Sequence, residues 1–312
     1  MFYIVLILYV LLMGSSPVKG YMEITAGCII YGMVGVFLAF IHDMGTLPII
    51  FYKLLIGIFF MLVYLYLRGN LGILRLGGKR RHLLLLGIFK LMTISFYFTC
   101  IIYSGLSIAI LLLYTAPMYV TILSPVVLGE RVTRSGLVGL LLSMIGILLI
   151  VDPATLVRSG MDDIHFIGMA AGILSGISFS FIIMTARYVR DEYSGFSQFF
   201  WATVFCVVVL VPFAPTVSIP VLRENFLMLL LFGLVNTSIS GVLYFNGLSR
   251  VRTQAASILA MLEPVSGIFF DYTILHSAIF AETILGCVFI IAGALLAVTD
   301  HISFGKYLKF ET

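Results

Sequence analysis

Charge is scarce in this 312-residue chain: Asp, Glu, Lys and Arg make up 10% of it, against roughly 25% in ordinary soluble domains. With 62% hydrophobic residues and a mean hydropathy of +1.18, the scarcity of charge excludes a solvated globular fold. Cysteine is sparse too. Cys28, Cys100, Cys206 and Cys287 fall in four separate apolar stretches without C-x-x-C spacing, which excludes a disulfide framework and leaves four packing residues. His42, His82, His165, His276 and His301 sit at helix ends or in links and form no H-x-x-x-H pair, so no metal is expected. No G-x-x-x-x-G-K-[ST] loop occurs and no link could hold an ATPase domain, so neither nucleotide hydrolysis nor a cofactor is expected.

What the chain does have is long apolar runs. A helix crosses a hydrocarbon core with about 20 such residues. Runs between charge and turn signals predict helices over 22–41, 48–67, 83–103, 106–128 and 135–151, then over 166–187, 196–214, 225–248, 253–275 and 282–299. The expected fold class is therefore all-α integral membrane, with ten transmembrane helices. Met1 to Met13 is apolar, but at about 1.5 Å per residue it reaches only about 20 Å, too short to span. Residues 1–20 are expected to be an appendage outside the core.

A net charge of +4 could suggest nucleic acid, but the basic residues fall in alternate links. Lys19, Arg68, Arg75, Lys79, Arg80, Arg81, Arg131, Arg134, Arg187, Arg190, Arg250, Arg252, Lys306 and Lys309 share one side; only Arg158 and Arg223 lie on the other. Lipid orientation explains that asymmetry. It predicts a multi-pass protein of the cell membrane with both termini cytoplasmic, and no nucleic-acid partner.

Sliding the chain by 147 residues places Tyr97-Phe98 on Tyr244-Phe245, Pro117 on Pro264, Gly139 on Gly286 and Gly146 on Gly293. Five helices per copy force the second copy to enter from the opposite face, an inverted repeat. The expected organisation is a first repeat over 21–152, an extracytoplasmic link over 153–165, a second repeat over 166–300 and a cytoplasmic tail over 301–312.

Ala116-Pro117 in mid-helix, Leu128-Gly129-Glu130-Arg131 and the glycine-bearing helix from Gly136 to Gly146 resemble one EamA domain of the drug/metabolite transporter superfamily. Leu262-Glu263-Pro264-Val265 with Gly286 and Gly293 resembles a second, and the resemblance covers residues 22 to 299. It implies a ten-helix carrier of metabolites, often working outward, with a basic residue early in the second helix where Lys53 stands. The chain departs from the pattern with Leu275-His276-Ser277 in place of Leu128-Gly129-Glu130, and has no acid at the centre of its first helix.

Ionisable groups at membrane depth are costly and become functional candidates. Glu263 and Asp271 share a helix face and are candidates for proton or ion coupling, or for pairing with a lysine that locks two helices. Lys90, Thr93 and Tyr97 on the third helix, and Asn236, Ser240 and Tyr244 on the eighth, are candidate substrate contacts; snorkelling of Lys90 and hydrogen bonds between helices are the structural alternatives. Pro117 and Pro264 free the carbonyls of Leu113 and Ala260 and suggest hinges or a cavity. The glycine pairs suit packing between helices or between protomers, Lys53 suits snorkelling or a partner such as Asp43, and Glu130 with Arg131 and Arg134 suits a solvated ion pair.

The leading expectation is a secondary transporter, not an enzyme, exporting a small amphipathic metabolite such as an amino acid by alternating access, as a monomer or homodimer. A lipid-modifying enzyme, for which only Asp162-Asp163 beside His165 offers a cluster, and a non-transporting membrane subunit are the alternatives.

Overall fold

The computed structural model describes residues 17–151 and 163–307. Residues 1–16 of the expected appendage, most of the link over 153–165, Asp162 among it, and the end of the tail lie outside the described residues, while residues 17–20 of the appendage begin the first helix. Among the described residues, ten helices are long and apolar enough to cross a membrane: α1 (Val18–Ala39), α2 (Thr46–Leu67), α3 (Arg80–Ser104), α4 (Leu106–Leu128), α5 (Arg134–Val151), α6 (Ile164–Tyr188), α7 (Gly195–Ala214), α8 (Phe226–Arg250), α9 (Thr253–Leu275) and α10 (Ala281–Val298). No strand occurs among the described residues. Helix is the only regular element among the described residues for a physical reason: in lipid each backbone polar group must be satisfied within its own segment or a closed barrel. The chain is thus an all-α integral membrane protein of ten spans in two inverted five-helix repeats.

The helices gather into two compact units, each built from both sequence halves. The first holds residues up to Ile88, Val189–Arg250 and Ser266–Ser277. Here α8 packs against α1, α2 and α7, and α2 against α7. The second holds Phe89–Tyr188, Val251–Val265 and residues from Ala278 onward. In it α5 runs along α10, and α4 packs against α6 and the first half of α9.

The α5–α10 contact shows how the repeat closes on itself. A Cβ on Gly139 would stand 2.6 Å from the carbonyl oxygen of Gly293, and one on Gly146 would stand 2.6 Å from that of Gly286. Residue numbers rise along one helix as they fall along the other, so repeat-related helices pack antiparallel with backbone touching backbone. These glycines serve packing within one chain.

The ends of α4 and α9 are also repeat-related. Gly129 (φ 67°) and His276 (φ 55°) adopt the left-handed conformation, and Glu130 N–H and Ser277 N–H donate six residues back to Ser124 and Asp271 carbonyls. The cap survives the change from Gly to His, a residue that enters this region more readily than most.

Candidate functional site

Both mid-helix prolines interrupt their helices. α4 is made of Leu106–Leu113 and Ala116–Leu128, and α9 of Thr253–Ala260 and Leu262–Leu275. Leu113 and Ala260, whose carbonyls lose a partner to Pro117 and Pro264, are the last residues of the first halves. At the breaks the chain tightens: Thr115 N–H donates to Leu112 O at 3.2 Å and Met261 N–H to Ile258 O at 3.1 Å, each three residues back. Thr115 Oγ1 also donates to Leu112 O at 2.5 Å. Gly176 of α6 covers this break so closely that a Cβ there would stand 2.6 Å from Leu112 O.

The two breaks meet. Tyr114 and Met261 lie in one buried cluster of the second unit with Leu111, Ile147, Val151 and Ile290. Glu263 follows in the first turn of the second half of α9. Tyr97 packs beside Cys100, Ile108 and Ala109. One turn back on α3, Thr93 is buried and donates to Phe89 O at 2.8 Å; Lys90 is half-buried. Of the residues singled out from sequence, Lys90, Thr93, Tyr97, Pro117, Glu263 and Pro264 belong to the second unit.

Asn236, Ser240, Tyr244 and Asp271 belong to the first unit. There they surround a break that no proline announces: α1 consists of Pro17–Tyr31 and Val34–Ala39. Asn236 lies in a π-helical segment, Phe232–Ile239, and donates through Nδ2 to the carbonyls of Ile30 (3.2 Å) and Tyr31 (3.1 Å). Ser240 Oγ donates to Asn236 O, and Tyr244 meets Tyr31 edge to face at 6.0 Å. Ser266 Oγ donates to Cys28 O at 3.2 Å, while Asp271 Oδ1 is buried against Gly35. Lys53 Nζ stands 4.3 Å over the Phe232 ring at the start of the π segment.

At the helix ends, sequence reading missed two pairs. Glu23, 2% exposed, pairs with Arg250. Glu130 pairs with Arg187 at 2.8 Å, not with Arg131 or Arg134 in a solvated pair as expected, and it also accepts from Thr253 N–H and Thr253 Oγ1, both at 2.8 Å. Gln254 Oε1 accepts from Thr133 N–H at 3.1 Å alongside. An acid near one helix end and an arginine at the end of another were the available signal, but only packing selects the partner. His165, weighed for an enzyme, is buried and its carbonyl accepts from Ser104. No three His, Cys, Asp or Glu side chains cluster as a metal site among the described residues.

A chain of solved structure is similar over 92% of this chain and 99% of its own, with a TM-score of 0.75 and 16% identity, which establishes the shared fold. An uncharacterized transporter of Archaeoglobus fulgidus is 29% identical over 280 residues, 89% of this chain and 96% of the relative. The uncharacterized transporter YoaV of Bacillus subtilis is 25% identical over 189 residues, 59% of this chain and 64% of its own. Residues 18–152 and 166–299 each match the EamA-like transporter family. Two copies of the domain on a ten-span membrane fold establish that the chain belongs to the EamA-like transporter family and is a membrane transporter of small molecules.

Proposed function

We propose that this transporter is a secondary carrier, with no enzymatic activity, that exports an amphipathic metabolite such as an amino acid across the cell membrane by alternating access. Both termini are cytoplasmic in this reading, on the strength of the basic-residue asymmetry. The observation that carries it is the meeting of two repeat-related helix breaks in one buried cluster, with a carboxylate in the next turn. Discontinuous helices near the midplane are where carriers of this architecture bind solute and coupling ion.

Lys90 and Tyr97 contact the solute, Thr93 supports them, Glu263 exchanges the coupling proton, and Pro117 and Pro264 are the hinges. The hydrogen bonds of Asn236 and Ser240 favour a second task for the eighth helix: with Tyr244 they hold the α1 break, where Asp271 is the secondary ion-responsive group.

The test is counterflow and pH-driven flux of labelled amino acids, nucleosides and organic cations in proteoliposomes. Solute-selective counterflow is expected, with Glu263→Gln retaining counterflow but losing at least tenfold of the pH-driven rate. Absence of flux for the whole panel sinks the substrate class, and pH-driven flux undiminished in Glu263→Gln sinks the coupling role.

A further inference from the structure

An apolar groove of the first unit is lined by none of the residues at the helix breaks. It has a volume of about 480 Å³ and lies between the start of α3 and the side of α7. Leu83, Leu84, Val204, Phe205 and Val208 form its apolar wall, Trp201 stands in it, and Arg80 and Arg81 rim one end. Two turns further along α3, Gly87 meets Phe205 in a contact with no room for a Cβ. Seven residues of helix, a rise of about 10 Å, separate Arg80 from Gly87. Trp201 is fixed by an Nε1–H bond to Leu74 O at 3.1 Å, and beneath it Leu83, Val189 and Tyr193 are buried together.

The charges at the rim are uneven. The neighbouring acids have local partners: Asp191 contacts Lys79 (3.8 Å) and Arg190 (3.6 Å), and Glu192 accepts from Lys79 N–H at 2.9 Å. Arg80 and Arg81 are exposed and make no ion pair among the described residues. A pair of guanidinium groups at the end of an apolar groove of about 480 Å³ matches the chemistry of a phosphate head joined to a hydrocarbon tail.

We infer that this groove is a binding site for an anionic glycerophospholipid, its phosphate held by Arg80 and Arg81 and one acyl chain lying along Leu84, Trp201, Phe205 and Val208. A tryptophan in this groove fits the same ligand, since the indole ring takes the apolar side of the headgroup layer. The site is independent of the transported solute, and it ties the contact between α3 and α7 to the lipid composition around it.

The chain has one tryptophan, so its fluorescence reports on this groove alone. The full-length protein is placed in phosphatidylcholine nanodiscs doped with phosphatidylglycerol or phosphatidylcholine brominated near the top of the acyl chains. Half-quenching by the anionic lipid is expected at roughly tenfold lower mole fraction. The preference should vanish in the double variant R80Q/R81Q and persist in R80K/R81K. In the wild type, high salt should weaken it, an arm that needs no variant to fold. Equal quenching by the two lipids, or a preference untouched by R80Q/R81Q and by salt, overturns the proposal. Relief of quenching by soluble glycerol phosphate overturns the lipid assignment in favour of a free anion.

Discussion

Glu130 is held by three donors at once: Arg187 Nε, Thr253 N–H and Thr253 Oγ1, each 2.8 Å away. Burial works to raise its carboxyl, but the Thr253 amide, the Arg187 guanidinium and the Thr253 hydroxyl outweigh it and hold the group below the ordinary carboxylate value. A carboxyl depressed in the folded state contributes stability that is fully present above its unfolded value, near pH 4, and is lost as pH falls through the folded one. Glu130→Gln is therefore expected to unfold more easily at pH 7, by on the order of 2 kcal/mol, because it leaves the Arg187 charge without its partner. Between pH 5 and 3 its unfolding temperature in detergent should fall less steeply than the wild type's. Parallel curves over that interval would show that Glu130 is not the group responsible. The sequence displays Glu130 next to Arg131, yet the carboxylate pairs with an arginine 57 residues away. Neighbours in sequence are readable; which helix end lies alongside is decided by packing.

Helices are where sequence and structure agree most and where the remaining gap is easiest to explain. The breaks in α4 and α9 were readable because proline lacks an N–H and so marks the carbonyl it abandons. The break in α1 and the π segment of α8 carry no such mark: Asn236 reaches across to mend the Ile30 and Tyr31 carbonyls, and that pairing exists only once the two helices are side by side. The α5–α10 seam lies between these cases. Glycines seven apart on each helix pointed to close packing, and the partner proved to be the other copy of the repeat. A methyl group on Gly146 or Gly286 meets a backbone carbonyl 2.6 Å away, which no rotamer change can move. Gly146→Ala and Gly286→Ala should each destabilise the detergent-solubilised protein by about 1 to 3 kcal/mol. This outweighs the helix-propensity gain of about 1 kcal/mol. Since both methyls strain one contact, the double variant should cost less than the sum of the two. An unfolding temperature raised by either single change would mean that the seam has slack.

At the scale of the molecule, helix number and repeat were readable because lipid imposes a minimum length on every span and a near-complete ban on charge within it. The grouping into two units was not readable, because the units cut across the repeats: α1 and α2 share a unit with α7 and α8 from the other half of the chain. Two helices pass from one unit to the other in mid-course, α3 after Ile88 and α9 after Val265. The second crossing is one residue beyond Pro264. A proline inside a helix costs roughly 3 kcal/mol, so a helix needed only for rigidity gains by losing it. Pro264→Ala supplies the N–H that Ala260 O lacks and allows α9 to run unbroken past Met261. If the break serves alternation between two states, closing it favours one of them. The variant should then unfold at the same temperature as the wild type or higher, while its initial transport rate in proteoliposomes drops at least tenfold. Measuring both on one preparation separates the explanations: a slow but stable variant identifies a hinge, whereas wild-type transport with raised stability identifies a kink tolerated for packing alone.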